Sequence, residues 1–145
     1  MIGLIQRVSE ANVTVDEKVI GEIGHGMVVL LGVEKDDGDA EIEKLANKLC
    51  RYRMFCDSDG KMNLNIEQVG GAMLVISQFT LVADTQKGNR PGFSRGASPS
   101  HGKDVYLRFV NTLKKKGMSV QTGEFGADMK VALVNDGPVT FQFQV

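Results

Sequence analysis

The chain has 145 residues, of which 42% are hydrophobic and 24% are charged, and its formal net charge is −1. This composition excludes a disordered or collagen-like chain, and the near-neutral charge excludes a protein that coats nucleic acid over a large area. No apolar run approaches the roughly 18 residues of a membrane span. We expect a single domain, residues 1–145, that buries about 70% of the surface of its unfolded chain.

The cysteines and the known sequence motifs limit the chemistry further. Cys50 and Cys56 are too few for a disulfide framework and are not spaced as zinc ligands, so we expect a reducing compartment and a cytoplasmic protein. Residues 1–7 lack the basic start and long apolar stretch of a signal peptide. No Walker loop, dinucleotide fingerprint or metal-binding helix motif occurs, so we expect no cofactor and no metal.

The first third of the chain is predicted to be β-rich. Residues 1–8 are apolar and β-prone, and residues 11–15 alternate as a half-buried strand does. Residues 16–17 indicate a turn, followed by a returning strand over residues 19–23. Residues 27–33 form a short apolar, β-branched run, which is typical of a strand covered on both faces.

Two helices are predicted from the spacing of apolar residues. The first covers residues 40–52 and follows several candidate N-caps in residues 36–39. Ser98 and Pro99 are a good N-cap and first-turn proline for the second helix. Residues 114–117, three lysines and a glycine, are typical of its C-terminal end.

Strands are also predicted around these helices. Residues 57–60 have the composition of a turn, and residues 72–82 form a second apolar strand. Val139 and Phe141 share one face of the last strand, with polar residues on the other. The sequence therefore predicts an α+β fold, in which two main helices pack against a curved or barrel-like sheet of six to eight strands.

Side chains that ordinarily act as catalytic bases are scarce. His25 lies between two glycines, which indicates a tight turn, and His101 lies in the first turn of the second helix. Both patterns favour a surface or capping histidine over a catalytic base, and nothing nearby suggests the carboxylate-held histidine of a Ser-His-Asp triad. If the protein is an enzyme, backbone dipoles or the substrate itself must contribute to catalysis.

Polar residues end the otherwise apolar strand at residues 77–80. Strand alternation would place Gln78 and Thr80 on one face and Ser77 and Phe79 on the other. Buried polar groups need hydrogen-bond partners, so two interpretations stay open. Either the strand runs out to the surface, or it forms a pocket floor where backbone N–H groups stabilise an oxyanion and the Thr80 hydroxyl lies nearby.

Residues 134–140 allow a structural and a functional interpretation. The order Asn-Asp-Gly is typical of a hairpin turn. Gly137 and Pro138 come next, and X–Pro bonds adopt the cis form at modest cost. A cis bond here would turn two carbonyl groups outward in a rigid arrangement, but the sequence does not show which isomer is present.

The long loop over residues 83–98 carries three cations. Lys87, Arg90 and Arg95 could meet phosphate, and a loop of this length inside a compact domain is often functional. A solvated, flexible loop explains the same composition.

Five segments, in order and at matching separations, resemble one known family. They are Ile5-Gln6-Arg7-Val8, Gly60-Lys61-Met62-Asn63, Ser77-Gln78-Phe79-Thr80-Leu81, Arg90-Pro91 and Asn135-Asp136-Gly137-Pro138-Val139-Thr140. The chain resembles the D-aminoacyl-tRNA deacylases of bacterial and eukaryotic type, the D-tyrosyl-tRNA(Tyr) deacylase family, over essentially its whole length. It departs from the family at Gly92, where serine would follow Arg-Pro.

The resemblance implies an activity and partners. The family hydrolyses the ester that joins a D-amino acid, or mischarged glycine, to the 3′-terminal adenosine of tRNA. It implies a homodimer that binds the tRNA acceptor end, with no membrane or DNA partner. Gly137 and Pro138 would be a cis pair that enters the partner subunit's pocket, captures the substrate's amino group and excludes an L side chain. Arg7 would hold this chiral selector in orientation.

The resemblance also implies the other site residues. Ser77, Gln78, Phe79 and Thr80 would form the catalytic segment, with the backbone amides of Phe79 and Thr80 as the oxyanion hole. Phe125 and Met129 would surround the terminal adenine. An aminoacyl ester is already reactive, and the ribose 2′-OH can help its own hydrolysis, which agrees with the lack of a histidine base.

Two other function classes stay open. A non-catalytic RNA-binding module would bind the acceptor end without turnover. A hydrolase for small esters or D-amino-acid derivatives would act without tRNA, and the weak basic character of the chain favours it over the first alternative.

Overall fold

The computed structural model describes all 145 residues. Eight strands and two α-helices follow one another along the chain. They are β1 (Ile2–Val15), β2 (Lys18–Ile23), β3 (Gly26–Gly32), α1 (Asp39–Arg51), β4 (Phe55–Cys56), β5 (Met62–Leu64), β6 (Ala72–Ser77), α2 (Pro99–Lys115), β7 (Ser119–Thr122) and β8 (Lys130–Gln144). A short 3₁₀ helix, Phe79–Val82, follows β6.

The long strand β1 organises the main six-stranded sheet. Its first half pairs antiparallel with β3 and its second half with β2, while β8 pairs antiparallel with β1 along almost its entire length. On the far side of β3, β6 and then β7 continue the sheet in parallel. Strands β4 and β5 form a separate antiparallel pair. The carboxyl end of β6 therefore lies beside β3, near the start of the 3₁₀ helix.

The sheet curls until its two ends approach each other. Gly21 in β2 lies against Thr122 in β7, although the two strands stand at opposite ends of the pairing order. A side-chain carbon added at Gly21 would lie 2.6 Å from the Thr122 carbonyl oxygen, so a larger residue would force the ends apart. This near-closure confirms the predicted curved or barrel-like sheet with two main helices.

The two faces of the sheet bury separate apolar clusters. Met27, Val29 and Leu31 of β3 face the cluster that includes the buried sides of α1 and α2, whereas Val28 faces the cluster inside the curled sheet. The prediction that this strand is covered on both faces is therefore confirmed. The reason is the two-residue period of a strand, which sends alternate side chains to opposite faces.

The helices begin and end close to the predicted positions. The Ser98 hydroxyl accepts a 3.3 Å hydrogen bond from the His101 amide and caps α2, and Pro99 is its first residue. Gly117, with φ of +86°, follows the last turn in the left-handed conformation that was predicted. The Gly38 backbone caps α1, and its amide donates to the Glu41 carboxylate over 2.9 Å. Neither helix is long and apolar enough to cross a membrane.

The predicted strand over residues 72–82 is wrong beyond Ser77. The Gln78 amide still donates to the Leu31 carbonyl over 2.7 Å, but the Leu81 amide then donates to the Gln78 carbonyl over 3.2 Å, and the chain turns into the 3₁₀ helix. Leu81 and Val82 are apolar because they pack over Gly32 of β3, not because they continue a strand. Residues 1–8 and 11–15, predicted as separate strands, form the single strand β1.

Candidate active site

A cavity of about 490 Å³ opens where β6 ends. Ser77, Gln78 and Phe79 line one side of it, and Phe125 and Met129, which follow β7, line the other. The fold therefore brings together two groups of predicted site residues that lie far apart in the sequence. It does so because β7 runs parallel to β6, so that the chain leaving β7 crosses the same end of the sheet.

The start of the 3₁₀ helix presents free backbone N–H groups beside this cavity. The amides of Phe79 and Thr80 donate to no other backbone group, as expected for the first residues of a helical turn. Phe79 lines the cavity and Thr80 is the next residue along the chain, outside its lining. The Thr80 hydroxyl accepts a hydrogen bond from the side-chain Nε2 atom of Gln78. The continuous strand assumed for Ser77 to Thr80 is wrong, because β6 ends at Ser77, although the Gln78 and Thr80 side chains do contact each other as predicted.

The aromatic side chain of Phe79 lies largely in the open. It is 67% exposed, and its ring packs against that of Phe93, with 5.1 Å between the ring centroids. Phe93 belongs to the loop over residues 83–98, so this contact joins the loop to the edge of the cavity.

Two glycines make room for the wall formed by Phe125 and Met129. A side-chain carbon added at Gly102 in α2 would lie 3.4 Å from the Phe125 ring. One added at Gly123 would lie 2.5 Å from the Met129 sulfur and would displace that side chain. Sequence reasoning missed both glycines. Gly102 lies in the first turns of α2, where alanine is more stable, and a glycine at such a position is a signal of close packing. Gly123 lies outside the helices and carries no such signal.

Gly137 and Pro138 lie in a segment of β8 that leaves the sheet register. Gln6 pairs with Thr140 and Val8 pairs with Asn135, so residues 136–139 bulge out opposite Arg7. The peptide bond between Gly137 and Pro138 is cis, and both residues are exposed. The hairpin interpretation of this segment is wrong, because both of its flanks belong to β8 and pair with β1.

Two side chains hold the bulge in place. Arg7, which is 8% exposed, donates from Nε to the Asp136 carbonyl over 2.8 Å and from Nη1 to the Met54 carbonyl over 2.9 Å. The Asn135 Oδ1 atom accepts a 2.7 Å hydrogen bond from the Val139 amide and closes the bulge from within. The sequence motif contains Asn135 but does not by itself indicate its role. It acts here as a local clamp, the use of asparagine typical of turns.

Within one chain, the bulge and the cavity are separate. Neither Arg7 nor Gly137 nor Pro138 lines the cavity at the end of β6. The structure of the single chain therefore contains two parts of the predicted site that do not meet each other.

The two histidines take the positions of structural residues. The His101 Nε2 atom lies 2.9 Å from the Asp37 carbonyl oxygen, and the His25 ring packs edge-on against Phe55 with 5.2 Å between centroids. Neither histidine lines the cavity.

The cations of the loop over residues 83–98 differ in their surroundings. Arg95 forms an ion pair with Glu34, while Lys87 and Arg90 are exposed and form no ion pair. Burial acts to raise the pKa of Glu34, but hydrogen bonds from the N-terminal ammonium and from Arg95 outweigh it and lower that pKa. Arg95 is therefore engaged within the protein, and Lys87 and Arg90 are the cations of this loop left to meet an anion.

Comparison with known proteins shows the family of the chain. The sequence profile of the D-Tyr-tRNA(Tyr) deacylase family matches residues 4–144. The chain belongs to this family. It is 81% identical over 145 residues to the D-aminoacyl-tRNA deacylase of Alteromonas mediterranea, and the alignment covers 100% of both chains.

Solved structures show the same fold as this family member. A structure of the c-Myc DNA Unwinding Element Binding Protein superimposes with a TM-score of 0.95 at 35% identity, covering 100% of this chain and 99% of that one. A structure described as a probable eukaryotic D-amino acid tRNA deacylase superimposes with a TM-score of 0.87 at 16% identity, covering 99% and 98%. The second likeness concerns the fold alone.

Proposed function

We propose that this protein is a D-aminoacyl-tRNA deacylase. It hydrolyses the ester between a D-amino acid, or mischarged glycine, and the 3′-terminal adenosine of tRNA, and it rejects L-aminoacyl-tRNA. The observation that carries the proposal is the single cavity that joins the end of β6 to Phe125 and Met129. An apolar cavity with a few polar groups at one side is the usual form of a site for a small group, here the terminal aminoacyl-adenosine.

Backbone donors provide the main catalytic contribution in this proposal. Water attacks the ester carbonyl carbon, and the free amides of Phe79 and Thr80 donate hydrogen bonds to the oxygen that becomes negative. The bond to the ribose 3′-oxygen then breaks. The neighbouring 2′-OH gives its proton to that oxygen and takes one from the attacking water, so the products are the free amino acid and an intact 2′,3′-diol. The Thr80 hydroxyl has a secondary role, which its hydrogen bond from Gln78 supports.

The opposite wall of the cavity holds the terminal adenine. Phe125 and Met129 supply an aromatic face and a polarisable sulfur, two surfaces on which a flat base packs well. Gly102 and Gly123 keep the space beside these side chains open. The same wall would then set the distance from the adenosine to the free amides of the 3₁₀ helix.

Chiral selection requires a second copy of the chain. Gly137 and Pro138 are exposed and lie outside their own chain's cavity, so they can act on a substrate only from the partner subunit of a homodimer. There the carbonyls of the pair capture the amino group, and its bulk excludes an L side chain. Arg7 and Asn135 hold the pair in the required orientation.

The remaining expectations form part of the same proposal. We place the enzyme in the cytoplasm, with the acceptor end of tRNA as its nucleic-acid partner and with no membrane or DNA partner. Catalysis by backbone amides and the 2′-OH requires no metal and no cofactor. The name of the c-Myc DNA Unwinding Element Binding Protein describes that protein, and competition by single-stranded DNA of the acceptor-end sequence would test the point for this chain.

The first experiment measures release of amino acid from D-tyrosyl-tRNA and L-tyrosyl-tRNA, side by side, with purified protein. Rapid loss of the D ester alone is the expected result, and it would establish both the activity and the chiral filter. Equal loss of both esters would support esterase activity but contradict the role of Gly137 and Pro138 as a chiral selector. Binding of tRNA without loss of either ester would favour the non-catalytic RNA-binding module.

Two further measurements separate the remaining alternatives. Turnover of a small D-amino-acid ester at the rate seen with D-tyrosyl-tRNA would favour a hydrolase without an RNA partner. Gel filtration at micromolar concentration should show a dimer, and a monomer that retains full chiral selection would contradict the cross-subunit role of Gly137 and Pro138.

A further inference from the structure

A second groove lies directly beside the cavity. Residues 125–127 line both, so one segment of chain separates the two spaces. The groove has a volume of about 800 Å³ and runs between one face of α2, the middle of β2 and the end of β7 with the chain that follows it. We call it the lysine groove, because Lys103 and Lys114 of α2 stand along it.

The two lysines lie on the same face of the helix. They are eleven positions apart in the sequence, which is about three turns and about 16 Å along the helix axis. Both side chains are exposed, and neither forms an ion pair. Glu124 is the one carboxylate that lines the groove, so the groove carries a net positive charge.

The other face of α2 shows the opposite pattern. Arg108 forms a 2.7 Å ion pair with Asp39, and Lys116 forms an ion pair with Glu43. These cations stabilise the contact between α2 and α1. The lysines of the groove have no such structural use, and their charge is available to a ligand.

The groove also offers exposed apolar surface between its two lysines. Leu107 of α2 is 48% exposed and Ile20 of β2 is 43% exposed, and both line the groove. Phe125 and Tyr106 lie deeper, with 5.9 Å between their ring centroids. Positive charge along a groove whose lining includes an accessible aromatic ring, here Phe125, is the combination with which proteins bind single-stranded nucleic acid.

We propose that the lysine groove binds the single-stranded nucleotides that precede the terminal adenosine, with Lys103 and Lys114 in contact with their phosphates. The inference rests on the proposed function, since it needs an adenosine in the cavity on the other side of residues 125–127. Phosphates of one stacked strand follow one another at about 3.4 Å along its axis. The length between the two lysines therefore accommodates several nucleotides.

The test compares the double variant Lys103→Gln/Lys114→Gln with the control Lys115→Gln. Lys115 is exposed at the same helix end, forms no ion pair and does not line the groove, so the control also removes charge from the C-terminal turn. Each protein is assayed on D-tyrosyl-tRNA and on the D-tyrosyl ester of adenosine alone. The short substrate fills the cavity but does not reach the groove.

The double variant should lose about tenfold in kcat/KM on D-tyrosyl-tRNA at low salt and nothing on the short ester. The slope of log kcat/KM against log salt concentration should become shallower by about 1.4, because each phosphate contact on a single strand contributes about 0.7. Equal losses on both substrates, or a result that matches Lys115→Gln, would overturn the inference. So would a change of oligomeric state in the double variant, which would make the groove a subunit contact.

A binding measurement separates this inference from the proposed function. Uncharged tRNA with an intact 3′ end should bind the wild-type protein more tightly and with a steeper salt dependence than it binds the double variant. This result would support RNA binding by the lysine groove even if the wild-type protein failed to hydrolyse D-tyrosyl-tRNA. If all variants showed normal turnover and identical tRNA binding, the proposed function would stand, but RNA binding by the lysine groove would be rejected.

Discussion

The Arg7 guanidinium in β1 donates a 2.8 Å hydrogen bond from Nε to the carbonyl of Asp136 in β8. The bond is made where β8 leaves the sheet register, immediately before Gly137 and Pro138. Arg7 also donates from Nη1 to the Met54 carbonyl, so one buried side chain fixes the exposed pair to two other parts of the chain. The orientation of the proposed selector therefore depends on a residue that does not itself reach the surface.

Replacing Arg7 with lysine should separate charge from geometry. Lysine keeps the positive charge but lacks the planar fork that reaches two carbonyls at once. We expect Arg7→Lys to lower the free energy of unfolding by about 1–3 kcal/mol and to lower the ratio of D-tyrosyl-tRNA to L-tyrosyl-tRNA hydrolysis. Urea unfolding and the paired assay measure the two effects. The exposed Arg51→Lys is the matched control, and an unchanged ratio in folded Arg7→Lys would contradict the positioning role.

Thr80→Ala tests whether the threonine acts through its backbone. The substitution removes the hydroxyl and keeps the N–H group, so we expect kcat on D-tyrosyl-tRNA to stay within about threefold of the wild-type value. A nucleophilic hydroxyl predicts loss of nearly all activity. Near-total loss, with a circular dichroism spectrum like that of the wild type, would therefore refute the backbone mechanism.

Gly102→Ala should uncouple stability from substrate binding. Alanine is favoured over glycine inside a helix by about 0.5–1 kcal/mol, and the added methyl group would meet the Phe125 ring at an ordinary contact distance of 3.4 Å. We expect a higher free energy of unfolding together with a higher KM for D-tyrosyl-tRNA, because the cavity becomes narrower. Ser100→Ala, in the same turn but outside the cavity, is the control. An unchanged KM in Gly102→Ala would show that the wall formed by Phe125 and Met129 does not contact the substrate.

Stability at high pH should report on Tyr106. Burial raises the pKa of its phenol to about 12, and the hydroxyl donates a 2.8 Å hydrogen bond to the Val75 carbonyl. A folded-state pKa above the unfolded value of about 10 means that the stabilisation is fully present below pH 10 and is lost as the pH rises towards 12. We expect the free energy of unfolding to fall by up to about 2.5 kcal/mol across this window.

Urea titrations at several pH values between 9 and 12 measure this loss. Tyr106→Phe removes the titrating group and should be less stable at pH 9 but show a flatter dependence above pH 10. If the free energy of unfolding fell with pH in the same way in the wild type and in Tyr106→Phe, the alkaline loss of stability would come from other groups.

The identity of the D side chain should have little effect on the rate. A selector made of main-chain carbonyls excludes the L side chain by sterics and does not contact the D side chain. We expect kcat/KM values for D-tyrosyl-, D-phenylalanyl- and D-aspartyl-tRNA to agree within about tenfold, and glycyl-tRNA to be hydrolysed as well. Discrimination of a hundredfold or more among the three D esters would point to side-chain recognition in place of the selector.

Local patterns were enough to predict most of the secondary structure. Ser98 and Pro99 begin α2 and Gly117 follows it, because the capping chemistry of a helix is carried by its own neighbours in sequence. The continuous apolar, β-branched run of β3 likewise predicted burial on both faces. The prediction failed at residues 78–82, where apolar side chains serve a 3₁₀ helix packed on Gly32, since a short apolar run has no period that separates the two cases.

The sequence by itself determined the class of fold, both helices, the two-sided burial of β3 and, through its motifs, the family. The tertiary structure alone decided that Phe125 and Met129 share a cavity with Ser77 and that residues 136–139 form a bulge supported by Arg7. The physical reason is the range of the interactions. Caps and periodicity act between neighbours in the chain, whereas the cavity and the bulge depend on strand order and register, which are set by contacts between residues far apart in sequence.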